Sequence, residues 1–250
     1  MHKIRMEKLE DTIPAEGVVR KEILAGEIEG VKTSRVMLSS GESINISNSD
    51  QYSSVLIFIN GKGSVEISTA VKQITERAVF VPSINQSYEV KAGPENLDYL
   101  EIIIELKKED EKDAEAYKDK LPFFRLYSDC KTYSEAIKSE KTVSRDLVRE
   151  ELVPRFCMGS VETTGPDIVA SHRHPWLDQL FFGLERNECI LKADKAEERF
   201  GENVILHIPL ASKHSVRVEE GKKLHYLWMD FFFDKKGLEW VKKEHHHEEQ

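Results

Sequence analysis

The sequence predicts an all-β protein built from two tandem barrels joined by a short charged helical linker. Three observations carry that expectation: a succession of short β-like runs, an abrupt charged interval in mid-chain, and a repeat that lays the second half on the first.

Ser34–Leu38, Ser54–Ile59, Ser64–Ser68, Arg77–Pro82 and Tyr88–Val90 are rich in Val, Ile and Phe, and Gly, Asn, Pro and Ser punctuate them. That is how strands and turns alternate. Tyr99–Leu106 is a mostly apolar run suited to a buried strand. Many short strands at such spacing indicate a sandwich or barrel rather than βαβ units. Between Lys107 and Lys120 the composition changes to Lys, Asp, Glu and Ala, which reads as a solvated helix at a boundary. The division expected is therefore an N-terminal barrel over 1–106, a linker over 107–120 and a C-terminal barrel over 121–250. Strands resume at Thr142–Val148, Arg155–Thr163, Gln179–Leu184, Glu188–Ala193, Asn203–Pro209, Ser215–Val218 and Leu224–Phe233.

The repeat is direct. Ser53–Phe58 lies on Asp178–Gly183 at an offset of 125, and Val81-Pro82 lies on Ile208-Pro209 at an offset of 127. Two copies of a β-rich unit, each able to bury its own core, mean a duplicated barrel.

Composition narrows the classes of function. Hydrophobic residues make up 40% and charged residues 32% of the 250, as in a soluble globular protein. The net charge of −9 is spread along the chain and no Lys/Arg stripe recurs, so neither nucleic acid nor an anionic membrane is an expected partner. Met1–Arg5 leads into charged residues without an apolar segment, and runs such as Val55–Ile59 are too short to cross a bilayer. Cys130, Cys157 and Cys189 form no C-x-x-C pair, which points to reduced thiols in a cytoplasmic setting. Each reads as a small buried hydrophobe.

The chemistry concentrates in Ser171–Gln179. His172 and His174 are two apart, so on an extended strand both leave the same face. Gln179 opens the next strand beyond a Pro-containing bend, and Ile208–His214 delivers a third histidine at the start of a later one. Three neutral imidazoles and an amide oxygen suit one divalent transition metal such as Zn, Ni, Fe(II) or Mn.

His172-x-His174-x4-Gln179 followed by Pro209-x4-His214 resembles the two signature motifs of the cupin superfamily. The resemblance spans about Arg155 to Phe233, and the duplication extends it to a bicupin. It implies jelly-roll barrels with the metal held inside by His172, His174, Gln179 and His214. Two departures stand out: the fourth ligand is Gln where Glu is commoner, and Val218 stands where many members carry Asn. The first copy acts as a control, because its equivalent positions are Ser47, Ser49, Ser54 and Ser87. Hydroxyls are poor ligands for these metals, so the N-terminal barrel is expected to be metal-free.

Other residues have plainer readings. His207 and His225 lack motif spacing and read as structural; Asp178 has the opposite parity to Gln179 and reads as outward-facing. His245–His247 read as the end of a polar helix or an appended segment. In the last long strand, either Tyr226, Trp228 and Asp230 face the cavity, or His225, Leu227 and Met229 do. On the first parity, Asp230 and Tyr226 are candidate proton-transfer groups and Trp228 a substrate-binding wall. Arg155, which opens the strand leading to the motif, is a candidate anchor for a substrate carboxylate.

Cupins host many chemistries, so three functions remain open. The first is a metal-assisted isomerase or lyase acting on a small oxygenated substrate such as a sugar acid, since the ligand set resembles the cupins that ketonise unsaturated uronates. The second is a metal-dependent dioxygenase. The third is a non-enzymatic small-molecule-binding bicupin; no helix-turn-helix segment accompanies the barrels. A homodimer is the expected assembly. The asymmetry between copies makes a direct prediction: His174→Ala removes most of the bound metal while Ser49→Ala leaves metal content unchanged, as measured by elemental analysis. Equal loss in both variants overturns the division of labour.

Overall fold

A computed structural model describes residues 4–10, 16–149, 151–244 and 248–249, with side chains up to Trp240. Within them lie two compact units of the same design. One holds residues 16–130 and 151–154. Its larger sheet runs Phe123–Leu126, Ala78–Val81, Tyr52–Asn60, Leu97–Glu105, Val31–Leu38, Val18–Ile23. Its smaller sheet runs Ser43–Ser47, Ser87–Ala92, Gly63–Ile67, Ala70–Ile74. The other holds residues 4–10, 131–149 and 155 onward. Its larger sheet follows the same order: Arg5–Lys8, Val204–Ile208, Leu177–Gly183, Lys223–Phe232, Phe156–Thr164, Val143–Val148, then short edge strands. Its smaller sheet runs Asp167–His172, His214–Val218, Glu188–Ala193, Ala196–Gly201. All the named strand pairs are antiparallel.

Period-two alternation builds both cores. In the first unit Val36, Leu38, Leu56, Phe58 and Phe80 meet Val65 and Val90 of the smaller sheet. In the second, Val161, Phe181, Leu206 and Tyr226 meet Leu191 and Val216. Inward apolar residues from two facing sheets make the filled interior of a jelly-roll barrel. The strands that sequence reading passes over are mostly exposed, polar ones such as Ser43–Ser47 and Ala196–Gly201, whose patterns bury little. The charged interval is helical as expected, with helix Glu111–Tyr117 between single 3-10 turns. Helix Lys235–Glu244 follows the last long strand in the same way. No described helix is long and apolar enough to cross a membrane. All three cysteines are buried.

The boundaries at 1–106 and 121–250 need correction at both ends. Arg5–Lys8 pairs with Val204–Ile208 and so completes the larger sheet of the second unit. Phe123–Leu126 pairs with Ala78–Val81 and completes that of the first. Each barrel thus takes its edge strand from the segment that precedes the other copy. The exchange answers an edge-strand problem, because an unpaired apolar edge is an aggregation template. Ile4, 4% exposed, carries the first arm into the core beside Leu206 and Ile208. Ile4→Ala is therefore expected to cost about 2–5 kcal/mol in urea unfolding of the full chain. A loss below about 1 kcal/mol means that the arm is not a working part of the barrel.

Candidate metal centre

The site forms where two strands of the smaller sheet end together. His172 and His214 are register partners, and a β-bulge between Val169 and His172 re-aims the strand just before the motif. The ring centroids of His172 and His214 are 4.3 Å apart, those of His172 and His174 4.9 Å, and those of His174 and His214 5.6 Å. One ring nitrogen from each histidine lies within 4.8 Å of the others, a spacing at which one ion could touch all three.

Neighbouring groups prepare these rings. His172 Nδ1 lies 2.7 Å from the Ala170 carbonyl, and His214 Nδ1 lies 3.2 Å from the Ser212 carbonyl. A carbonyl only accepts, so each Nδ1 carries the proton and each Nε2 keeps its lone pair. Burial, with His172 beside it, pushes the His214 pKa down to about 3, so the ring is neutral. His214 Nε2 is buried without a hydrogen-bond partner.

Gln179 completes the convergence from the larger sheet. Its Nε2 donates to Asp230 Oδ1 at 2.7 Å, on the strand directly beside it. The carboxylate dictates this amide orientation, because the opposite one would set oxygen against oxygen. Gln179 Oε1 is left buried without a hydrogen-bond partner. Among the described residues nothing donates to either of these two atoms, and buried acceptors of this kind are costly for a protein and fit a cation.

The loop bearing His214 is held from two sides. Ser212 Oγ and Lys213 N donate to Asp194 at 2.9 and 3.0 Å. Leu210 N donates to Asp178 Oδ1 at 2.9 Å, and Ala211 N donates to the His174 carbonyl at 3.1 Å. Ala211 adopts φ +61°, a left-handed conformation that the surrounding bonds must maintain. Asp178 also accepts from His207 at 3.0 Å, which gives His207 the structural role expected of it.

His172, His174 and Gln179 border a cavity of about 80 Å³ in the second unit. Tyr226, Trp228 and Asp230 line it, which resolves the parity of the last long strand. Tyr226 is entombed against Phe181, ring centroids 4.8 Å apart, and burial keeps its phenol protonated far above the usual range. Trp228 has room because its register partner is Gly159, where a Cβ would come within 2.4 Å of the indole. Arg155 is a correction: it does not line the cavity. Its backbone turns at φ +57° before the strand begins, and its guanidinium donates to the Phe232 carbonyl at 3.4 Å.

Sequence reading missed the second wall. Tyr133, Glu135, Lys138, Asp146 and Arg149 reach the cavity from the segment that precedes the barrel's repeat. No spacing pattern marks them. It also missed Trp240, whose ring meets that of His174 edge-on at 6.2 Å. His245–His247 lie outside the described residues.

The first barrel provides the internal comparison. Ser47 and Ser87 are register partners like His172 and His214, and their hydroxyls share a hydrogen bond at 3.3 Å. Ser54 donates to Asn48 Oδ1 at 3.0 Å. The same backbone frame therefore exists twice, with different chemistry mounted on it.

The buried His214 makes the ion-free protein acid-sensitive. Its folded pKa near 3 lies below its ordinary 6.5, so the unfolded chain takes up the proton first. Stability is fully present above pH 6.5 and is lost as the pH falls toward 3. Urea titrations of the ion-free protein between pH 7 and 4 should show a steeper decline than those of His214→Gln. Parallel profiles would remove His214 as the cause.

No protein-family model and no curated protein matches this sequence. Solved structures match its fold. A protein described as glyoxylate-induced from Pseudomonas aeruginosa superposes with a TM-score of 0.71 at 12% identity, over 86% of this chain and 80% of that one. An oxalate decarboxylase from Lactobacillus farciminis, solved as a formate complex, gives 0.69 at 12% identity, over 97% and 91%. A cupin 2 conserved barrel domain protein from Leptotrichia buccalis gives 0.62 at 19% identity, over 93% and 98%. With the strand order found twice and these neighbours, the chain has the bicupin fold, two tandem cupin barrels.

Proposed function

We propose that the second barrel is a metal-dependent active site of the lyase or isomerase type acting on a short oxygenated acid. One observation carries the reading: three imidazoles lie within reach of one ion, and two of them, His172 and His174, line with Gln179 a cavity that also holds carboxylates and cations. The ligands would be Nε2 of His172 and His214, a ring nitrogen of His174, and Gln179 Oε1. The set is uncharged and has borderline donors, which suits Mn, Fe(II), Ni or Zn. A bound divalent ion supplies Lewis acidity toward a carboxylate, carbonyl or hydroxyl oxygen.

The protein's own groups do the rest. The Ala170 and Ser212 carbonyls hold the tautomers, and Asp230 aims the Gln179 amide. Asp230 is thus first a positioning residue, and its carboxylate also borders the substrate space as an acceptor for a proton. Tyr226, kept protonated, donates a hydrogen bond to a developing oxyanion and does not act as a base. Trp228 closes the apolar side of the cavity.

Size narrows the substrate. A cavity of about 150 Å³ takes a benzene ring. The 80 Å³ here suits an acid of few heavy atoms better than a uronate ring. Such an acid agrees with the oxalate decarboxylases among the structural neighbours, enzymes named for a short acid.

The test is turnover, followed by NMR, of short hydroxy, keto and dicarboxylic acids and one uronate by protein loaded with each metal, with and without oxygen. Conversion without oxygen is expected, falling about 100-fold or more in His174→Ala. A strict oxygen requirement replaces this reading with the dioxygenase. Tight metal binding with no turnover replaces it with a binding protein.

A further inference from the structure

The segment forming the second wall contains a buried ion pair that the proposed metal chemistry leaves unused. Lys138 pairs with Glu135, and the two side chains are only 7% and 11% exposed. Lys138 Nζ also donates to Ser144 Oγ at 2.9 Å and lies 5.0 Å from the centroid of the Tyr133 ring. An ammonium has three N–H donors. Two are taken, and among the described residues no further oxygen takes the third. Both Lys138 and Glu135 line the cavity that His172 and His174 border.

A purely structural role explains this poorly. A buried ion pair is a weak stabiliser and an apolar pair of similar size would serve the loop as well or better. The loop is in addition held firmly in place. Ser139, Thr142 and Thr163 hydroxyls all donate to Asp167 Oδ2, at 2.6, 3.1 and 2.8 Å. Ala170 N donates to the Ile137 carbonyl at 2.8 Å, while the Ala170 carbonyl takes His172 Nδ1. One residue therefore links the Lys138 loop to a candidate metal ligand. This bracing fixes a charged side chain against the cavity, the arrangement a binding site needs.

Charge then selects the ligand. The charged side chains lining the cavity are Glu135, Asp146, Asp230, Lys138 and Arg149, three anions and two cations. Their sum is −1. An uncharged ligand set leaves a divalent ion its full charge, which brings the total to +1. We infer that Lys138 is a specificity-determining residue, whose spare N–H and charge hold one carboxylate oxygen of a short monoanionic acid beside the metal position. The inference rests on the metal-site reading and adds to it the charge of the substrate and the residue that senses it.

The test uses the full chain loaded with Co(II), whose visible spectrum reports exogenous ligands, titrated with glycolate and with uncharged ethylene glycol. In the wild type glycolate should half-saturate at a concentration about tenfold or more below that of ethylene glycol. Lys138→Met should lose most of that preference while still binding one Co(II), and Lys138→Arg should restore part of it. Glu135→Gln, which leaves the lysine uncompensated, should bind glycolate more tightly than the wild type. A preference unchanged in Lys138→Met, or weaker glycolate binding in Glu135→Gln, overturns the assignment. Failure of the wild type to bind Co(II) at all removes the metal site itself, and with it this inference.

Discussion

Three imidazoles meet in this protein because His172 and His214 are cross-strand partners at the mouth of a small antiparallel sheet. Facing residues of such a pair sit within a few ångströms of each other by backbone geometry alone. The bulge before His172, the two carbonyls that orient the rings and the loop held by Asp178 and Asp194 all refine that one pairing. Slip the register by one residue and the rings point to opposite faces. The first barrel keeps the same pairing with Ser47 and Ser87, which simply bond to each other. Convergence is thus a property of the fold, and the chemistry is a property of the residues placed on it.

The arrangement carries a cost in the ion-free state. His214 Nε2 and Gln179 Oε1 are buried acceptors with no donor among the described residues. Each such atom costs about 1–3 kcal/mol relative to a satisfied one. Keeping His214 neutral in this setting adds a further penalty as the pH falls. A ligand that binds only the folded state returns such energy by mass action. The second barrel accepts a local instability where the first has ordinary serine hydrogen bonds.

Much of this was legible in the sequence, and the exceptions have physical causes. The apolar strands were visible because burial imposes Val, Ile and Phe; Ser43–Ser47 was not, because three of its five residues face solvent. The histidine motif was visible because rings that are near in space came from short, regular spacings. Glu135, Lys138 and Arg149 were not, because charged residues in a segment before a barrel look the same whether they face water or a cavity. Arg155 was misplaced for the converse reason: its fork suits a carboxylate wherever it stands, but a left-handed backbone just before the strand places it outside the cavity lining. Long-range pairing was the least readable feature, since nothing local to Arg5–Lys8 says which barrel it will join.

That last pairing has a consequence for how the protein is made. Arg5 lies opposite His207, so about 200 residues separate the partners. At about 5–20 residues per second, Arg5–Lys8 waits some 10–40 s for the edge it completes. The first barrel meets a shorter delay, because Phe123–Leu126 follows Ala78–Val81 by only some 45 residues. The two halves are therefore expected to mature in sequence order, with the histidine-bearing barrel closing only after Val204–Ile208 has been made. Until then its opening segment is an unpaired strand with Ile4 and Leu9 uncovered, a natural client for a chaperone that holds nascent chains.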